Sequence, residues 1–309
     1  MALVGAGVST STMGGLTPLS WAAKGGHEAV VKMLLERDDA NPNIADRHGE
    51  TPLLISARGG YEGLVKLLLE RNDVKPNIAD RYGETPLLMA ARRGYEGVVK
   101  VLLERNDVNP NIVDRLGKTP LHIAAREGYE GVTKLLLECN NVNPNTGDWF
   151  GEMPLSKATY EGHEGVVKML LERNDLNPNT ADTSGEGPLF IAACKGHEGV
   201  AKMLLERWDV NPNAANGPGM TPLMVAASGG HEVVVKMLLG RADVNTDITD
   251  ITGETALSKA HKRQHRPIIK LLSQHRNSIP PLAGDEFTAP SSQEPSNPDH
   301  RASKRIRRL

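Results

Sequence analysis

The chain has 309 residues, with 36 Lys and Arg against 38 Asp and Glu, and a formal net charge of -2. That balance argues against overall attraction to nucleic acid or anionic membranes, and leaves only local patches open to such roles. No apolar run is long enough to span a bilayer, and Cys139 and Cys194 are the only cysteines, so the chain reads as soluble, intracellular and at home in a reducing compartment.

Met1 to Leu16 carries no Lys or Arg ahead of its apolar stretch, unlike a secretory signal. Gly5-Ala6-Gly7-Val8-Ser9-Thr10 opens like a dinucleotide fingerprint, but Thr10 stands where the last Gly belongs and no βαβ unit follows. Residues 1–16 are expected to form a leader or a cap. From Thr17-Pro18 onward a unit recurs every 34 residues. Thr51-Pro52, Thr85-Pro86, Thr119-Pro120 and Thr221-Pro222 repeat the dipeptide, while Met153-Pro154, Gly187-Pro188 and Thr255-Ala256 fill the other beats. Eight units in register mark a solenoid, in which each unit touches only its neighbours. Such a fold presents a long surface and seldom a catalytic pocket.

Within the unit Thr51 to Glu84, Thr51 is a good N-cap and Pro52 suits the first helical position, where no N–H is needed. A short helix follows, and small residues recur near its end (Ala22 and Ala23, Ala90 and Ala91, Ala124 and Ala125), so neighbouring helices can approach closely. Gly59-Gly60 breaks it. The second of these glycines recurs as Gly26, Gly94, Gly128, Gly162, Gly196 and Gly230, which implies a backbone shape that a Cβ would strain. A second helix starts near Glu62, with Leu64, Val65, Leu68 and Leu69 on one stripe. Asn72-Asp73 is expected to stop it in left-handed geometry. Val74 to Asp80 reads as an extended, turn-rich link, and Gly83 closes a tight turn before the next Thr-Pro.

Thr119-Pro120-Leu121-His122-Ile123-Ala124-Ala125, with Gly-His/Tyr-Glu and Val-Val-Lys-x-Leu-Leu-Glu, resembles the ankyrin repeat over residues 17 to about 275. The period of 34 departs from that family's usual figure of about 33. The extra residue falls in the Asn-Pro-Asn loop (Asn41-Pro42-Asn43, Asn109-Pro110-Asn111), and in this the array is similar to those of large fungal ankyrin proteins. The resemblance implies an all-α helix-turn-helix solenoid over 17–276, with repeats starting at 17, 51, 85, 119, 153, 187, 221 and 255.

Unit eight has changed as a cap should: Ser273 replaces a Leu column, His261 an Ala column and Gln264 the recurring Gly. Unit one looks internal, so Trp21, Val31 and Leu35 are expected to need a cover, with Met1 to Leu16 the candidate. Residues 277–309 are rich in Pro and Ser and read as a disordered tail ending in Lys304-Arg305-Ile306-Arg307-Arg308.

His27, His163, His197, His231 and His265 share a column, but Tyr61, Tyr95 and Tyr129 occupy it elsewhere, so a structural role fits better than a metal ladder. Val31, Val167, Ala201 and Val235 stand where a zincin's second His would be needed. No residue is nominated as catalytic, cofactor-binding or metal-ligating. By the resemblance, partners bind at the turn tips and the exposed end of the first helix. Those positions hold Arg47, His48 and Arg58, then Arg81, Tyr82, Arg92 and Arg93, then Arg115, Leu116, Lys118 and Arg126, then Trp149, Phe150 and Tyr160. Arg and aromatic residues dominate binding hot spots. The competing reading pairs these arginines with Glu50, Glu84, Glu127 and Glu152 in weak surface ion pairs. Trp208, where other units have Asn or Asp, is a second candidate contact.

The function expected is a non-catalytic scaffold or adaptor that binds a partner protein through a concave face. The partner would be an acidic segment with an apolar anchor, with no small-molecule substrate, cofactor, nucleic acid or membrane involved. The alternatives are a nuclear regulatory adaptor imported through the basic end, or the binding tail of a larger multidomain protein.

Overall fold

The computed structural model of the chain describes residues 15–278, and among these it holds sixteen α-helices and no strand. The helices alternate in pairs: α1 (Pro18–Lys24) with α2 (Glu28–Leu35), α3 (Pro52–Gly59) with α4 (Glu62–Leu69), α5 (Pro86–Arg93) with α6 (Glu96–Leu103), and α7 (Pro120–Glu127) with α8 (Glu130–Glu138). The second half repeats this with α9 (Pro154–Glu161) and α10 (Glu164–Leu171), α11 (Pro188–Lys195) and α12 (Glu198–Leu205), α13 (Pro222–Gly229) and α14 (Glu232–Leu239), and α15 (Ala256–Lys262) and α16 (Arg266–Ser278). The segment expected to cap unit one and the basic end expected to direct import lie outside the described residues, apart from Gly15 and Leu16.

Each first helix starts where its threonine permits. Thr51 Oγ1 accepts the Leu54 N–H at 3.2 Å, and Thr85, Thr119, Thr221 and Thr255 do the same three residues on. Met153 and Gly187 stand in that column without a side-chain cap, and there Pro154 and Pro188 alone prepare the first turn. The break between paired helices is a glycine at positive φ, such as Gly128 at 74°. A second constraint operates at the same atom: a Cβ on Gly128 would lie 2.7 Å from the His163 ring of the next unit, and one on Gly94 3.1 Å from Tyr129. Gln264 has φ 61° and is the only described non-glycine there. No described ninth unit sets a ring against it, so Gln264 meets only the backbone constraint. Asn72 differs from expectation: it is not left-handed, because α4 has already ended at Leu69 and the turn is closed by Arg71 N–H to Leu68 O at 3.2 Å.

First helices pack on first helices and second on second, building one core that runs the length of the array. The first row meets through Ala57, Ala90, Ala91, Ala124, Ala125 and Ala158, all with no exposed surface, and the second through larger residues such as Val65, Leu68, Val99 and Leu102. The smaller side chains draw the first row closer, so the array curves toward it and makes that side concave. In unit one Val31 is fully buried and belongs to this core, while Trp21, Val30 and Met33 are the apolar residues left exposed.

The extra residue of the 34-residue period has a function in the packing. Asn111 Nδ2 donates to Asn141 O at 2.6 Å and Asn111 Oδ1 accepts from Asn143 N–H at 3.0 Å, both in the next unit. Asn43, Asn77, Asn145, Asn179 and Asn213 make the same two bonds. The preceding Asn of most loops folds the turn by accepting the N–H two residues on, as Asn109 does from Asn111 at 3.0 Å. On the convex side a guanidinium adds a third bridge: Arg105 donates to Leu69 O at 2.8 Å while gripping Asp107 with two bonds. Arg71, Arg173, Arg207 and Arg241 repeat the bridge at 2.6–2.9 Å.

Unit four breaks the pattern. Cys139 and Asn141 replace this Arg and Asp, so no guanidinium reaches back to Leu103 O. Burial raises the Cys139 thiol above its ordinary pKa. Nearby, Thr133, Ser156 and Thr159 bury hydroxyl oxygens that find no hydrogen-bond partner. Thr133 stands where Val65, Val99, Val167 and Val235 stand in other units. Replacing it with Val keeps the shape and removes an unpaired buried polar group. Thr133→Val is therefore expected to stabilise the array by about 1 kcal/mol, seen as a higher denaturant midpoint at unchanged slope. A lower midpoint would show that the hydroxyl has a partner in solution.

Candidate functional site

The loop between each second helix and the next first helix narrows to a tip, held in most units by an Asp that accepts two backbone N–H groups, and in the sixth by Asn216, which accepts that of Met220. Asp80 Oδ1 takes those of Tyr82 at 2.8 Å and Glu84 at 2.9 Å. Consecutive tips are joined by one backbone bond each: Arg81 N–H to His48 O at 2.9 Å, Arg115 to Tyr82 at 3.0 Å, Trp149 to Leu116 at 3.1 Å and Thr183 to Phe150 at 2.9 Å. The tips thus form a continuous row beside the first-helix row, and their two outward residues change from unit to unit. Arg47-His48, Arg81-Tyr82, Arg115-Leu116 and Trp149-Phe150 give way to Thr183-Ser184 and Gly217-Pro218. The basic and aromatic surface therefore occupies only the first half of the array.

The arginines named from sequence fall into two groups. Arg58 pairs with the nearly buried Glu50, and Arg92 lies between Glu84 of the preceding unit at 2.7 Å and Asp114 of its own unit at 3.2 Å. Burial holds the Glu84 carboxyl above its ordinary pKa, against the pull of Arg92. These two guanidiniums are largely committed within the array. Among the described residues, no carboxylate lies within ion-pair distance of Arg47, Arg81, Arg93 or Arg115, all of them exposed. Arg81 lies 4.7 Å over the Tyr82 ring, a cation–π contact that stiffens the tip. Arg126 approaches a carboxylate only at 3.9 Å, that of Glu127.

Trp149, Phe150 and Tyr160 are 69%, 58% and 48% exposed, too open to be supports of the core. Lys195 places its ammonium 3.8 Å from the Tyr160 ring centre. Trp208, 90% exposed, sits in the loop after α12 and thus belongs to a different row from the tips. Sequence reasoning overlooked Lys157, which bonds to Glu152 and lies 3.7 Å from the buried Asp148. The signal was available, because Ile55, Met89, Ile123, Ile191 and Val225 fill that column in other units.

The histidine column supports the array. The Nε2 atoms of His163, His197, His231 and His265 meet the carbonyls of Arg126, Tyr160, Cys194 and Ser228 in the preceding unit at 2.9–3.1 Å. Among the described residues, no three His, Cys, Asp or Glu are placed to hold a metal ion, and no helix is long and apolar enough to cross a membrane.

Paired helices in a curved stack with a row of variable tips define a repeat array built for contact. The family model for ankyrin repeats matches residues 2–80, 63–148, 133–216 and 208–281, so the chain belongs to the ankyrin repeat family. Domains of this family are non-catalytic modules that mediate protein–protein interaction. Among solved structures, the chain is similar to the ankyrin repeat domain of Bcl-3, a unique member of the IkappaB protein family. The two are 25% identical with a TM-score of 0.65, over 72% of this chain and 98% of that one. No curated protein matches the sequence.

His122 lies beneath this surface, 1% exposed, with Nδ1 2.9 Å from Thr119 Oγ1 and Nε2 3.0 Å from Glu152 O. Burial lowers its pKa from 6.5 to about 4. The unfolded chain therefore takes up a proton at a pH where the folded chain does not. The His122 contribution is intact above about pH 6.5 and is lost as pH falls toward 4. Leu occupies the same column at Leu54 and Leu88. His122→Leu should fold normally and lose less stability than the wild type between those two pH values, by on the order of 3 kcal/mol. Parallel stability–pH curves from denaturant titrations would contradict a neutral buried imidazole.

Proposed function

We propose that the array is a scaffold or adaptor with no reaction of its own, binding a partner protein along the concave side of units two to five. The observation that carries this reading is the row of uncompensated cations at Arg81, Arg93 and Arg115, which runs into exposed Trp149, Phe150 and Tyr160. Surface arginines without a counterion favour an acidic ligand, and rigid exposed aromatics favour an apolar anchor. The partner is therefore an acidic segment carrying a large apolar side chain. Trp208 offers a separate contact on the opposite row.

The test replaces Phe150 in one protein and Trp208 in another with a photo-crosslinking residue, and maps the adducts. Crosslinks from position 150 to an acidic segment are expected, and Arg81→Ala, Arg93→Ala and Arg115→Ala combined should weaken that complex at least about tenfold at moderate salt. Helix content should stay unchanged. The same adducts at the same yield in the triple variant would remove the concave row as the contact.

A second reading rests on the basic cluster Lys304-Arg305-Ile306-Arg307-Arg308. Here the adaptor is cytoplasmic unless that cluster carries it into the nucleus, where it would act as a regulatory adaptor. A tagged chain should then enter nuclei and its counterpart lacking residues 301–309 should not. Equal distribution of the two would leave the cytoplasmic reading alone.

A further inference from the structure

One position ahead of each first-helix cap, Glu50, Glu84, Glu152, Glu186 and Glu254 form an acidic column. Most of these acids are neutralised by a cation from the first helix that follows them. Glu50 pairs with Arg58, Glu84 with Arg92 at 2.7 Å, Glu152 with Lys157, and Glu254 with Lys259 and Lys262 at 3.0 Å each. Glu186 has no such cation and receives the Asn216 amide at 3.4 Å. At the junction of units three and four the sign reverses: the column residue is Lys118, while the following helix α7 still supplies a cation, Arg126. Two like charges thus face each other where other units have a closed ion pair. Among the described residues no carboxylate is within ion-pair distance of Lys118, and Arg126 has only the 3.9 Å approach of Glu127.

The two cations open onto a cavity of about 390 Å³ lined by Lys118, Arg126, Glu152, Lys157, Tyr160 and Glu161. Glu152 is engaged by Lys157, and Glu161 lies exposed one residue beyond Tyr160. Leu116, Trp149 and Phe150, all exposed, occupy the adjoining tips. We infer that this cavity is a subsite for one carboxylate side chain of the acidic partner, held between Lys118 and Arg126 beside Tyr160. The partner's apolar anchor then lies a few residues away, on Trp149 and Phe150. A guanidinium offers a carboxylate two parallel N–H bonds and an ammonium offers a point charge, so the pair replaces the missing column acid with one supplied from outside. This inference rests on the concave-face reading above and specifies which unit of that face reads the acid.

The experiment uses the full chain and a fluorescein-labelled peptide in which a central leucine is flanked by glutamates, with a glutamine-flanked peptide as control. Lys118→Glu restores the column residue of the other units and allows the Arg58–Glu50 type of pair to form with Arg126, so the fold should be at least as stable. Fluorescence anisotropy should show the wild type and Lys118→Arg binding the glutamate peptide at least about tenfold more tightly than the glutamine peptide, and Lys118→Glu binding the glutamate peptide at least about tenfold more weakly than they do. Lys118→Gln, which adds no charge, should fall between the two and guards against misfolding of the glutamate variant. Equal binding by the wild type, Lys118→Gln and Lys118→Glu, or no preference of the wild type for glutamate over glutamine, would overturn the subsite. Trp149→Ala with Phe150→Ala then separates the two readings. If the Lys118 variants bind alike, lost binding in this double variant keeps the concave face without the subsite; unchanged binding in it removes both readings.

Discussion

A single asparagine side chain per unit ties each loop to the next, and the spacing of every other feature depends on it. Its amide nitrogen and oxygen are both used, so the neighbouring loop can sit in one register only. The stack thereby gains two directed bonds that hydrophobic packing alone would not provide, since apolar burial stabilises without specifying distance. The guanidinium bridges on the convex side and the imidazole bonds between units add to the same constraint from other angles. With most units held to a neighbour at two or three places, the tips are set in a fixed order along the array.

That fixed order converts local sequence variation into a surface. The tip residues carry no structural duty beyond one backbone bond, so they are free to differ. Their differences accumulate as a gradient from arginine through aromatic to small polar residues. The same arrangement decides which charges remain available. Arg58 and Arg92 project from the first helix toward the acidic column and are consumed there, whereas Arg81 and Arg115 project from the tips and are not. Position within the unit, rather than residue type, separates supporting cations from presented ones.

The period, the paired helices, the threonine caps and the positive-φ glycines could be read from one unit, because each depends on bonds within a few residues. The division of the arginines could not. It depends on partners such as Asp114, which lies 22 positions from Arg92 in sequence and is brought close only by the fold. Lys157 was overlooked for the same reason: a lysine in an apolar column makes sense only once the buried Asp148 is seen beside it. The left-handed stop expected at Asn72 failed because α4 has ended at Leu69 and the Arg71 N–H already closes the turn on Leu68 O.

Unit eight shows what the loss of these bonds accomplishes. At the junction of units seven and eight Asp247 stands where the bridging asparagine should be, Gln264 replaces the recurring glycine at positive φ, and His261 is exposed in a column otherwise given to buried small residues. A solenoid whose two ends matched would add copies head to tail without closing, and so grow into a filament. Unit one offers an internal-type face with exposed Trp21, Val30 and Met33, but unit eight has lost the complementary one. The two ends of the described array therefore differ in chemistry, unit one presenting apolar side chains and unit eight a more polar face.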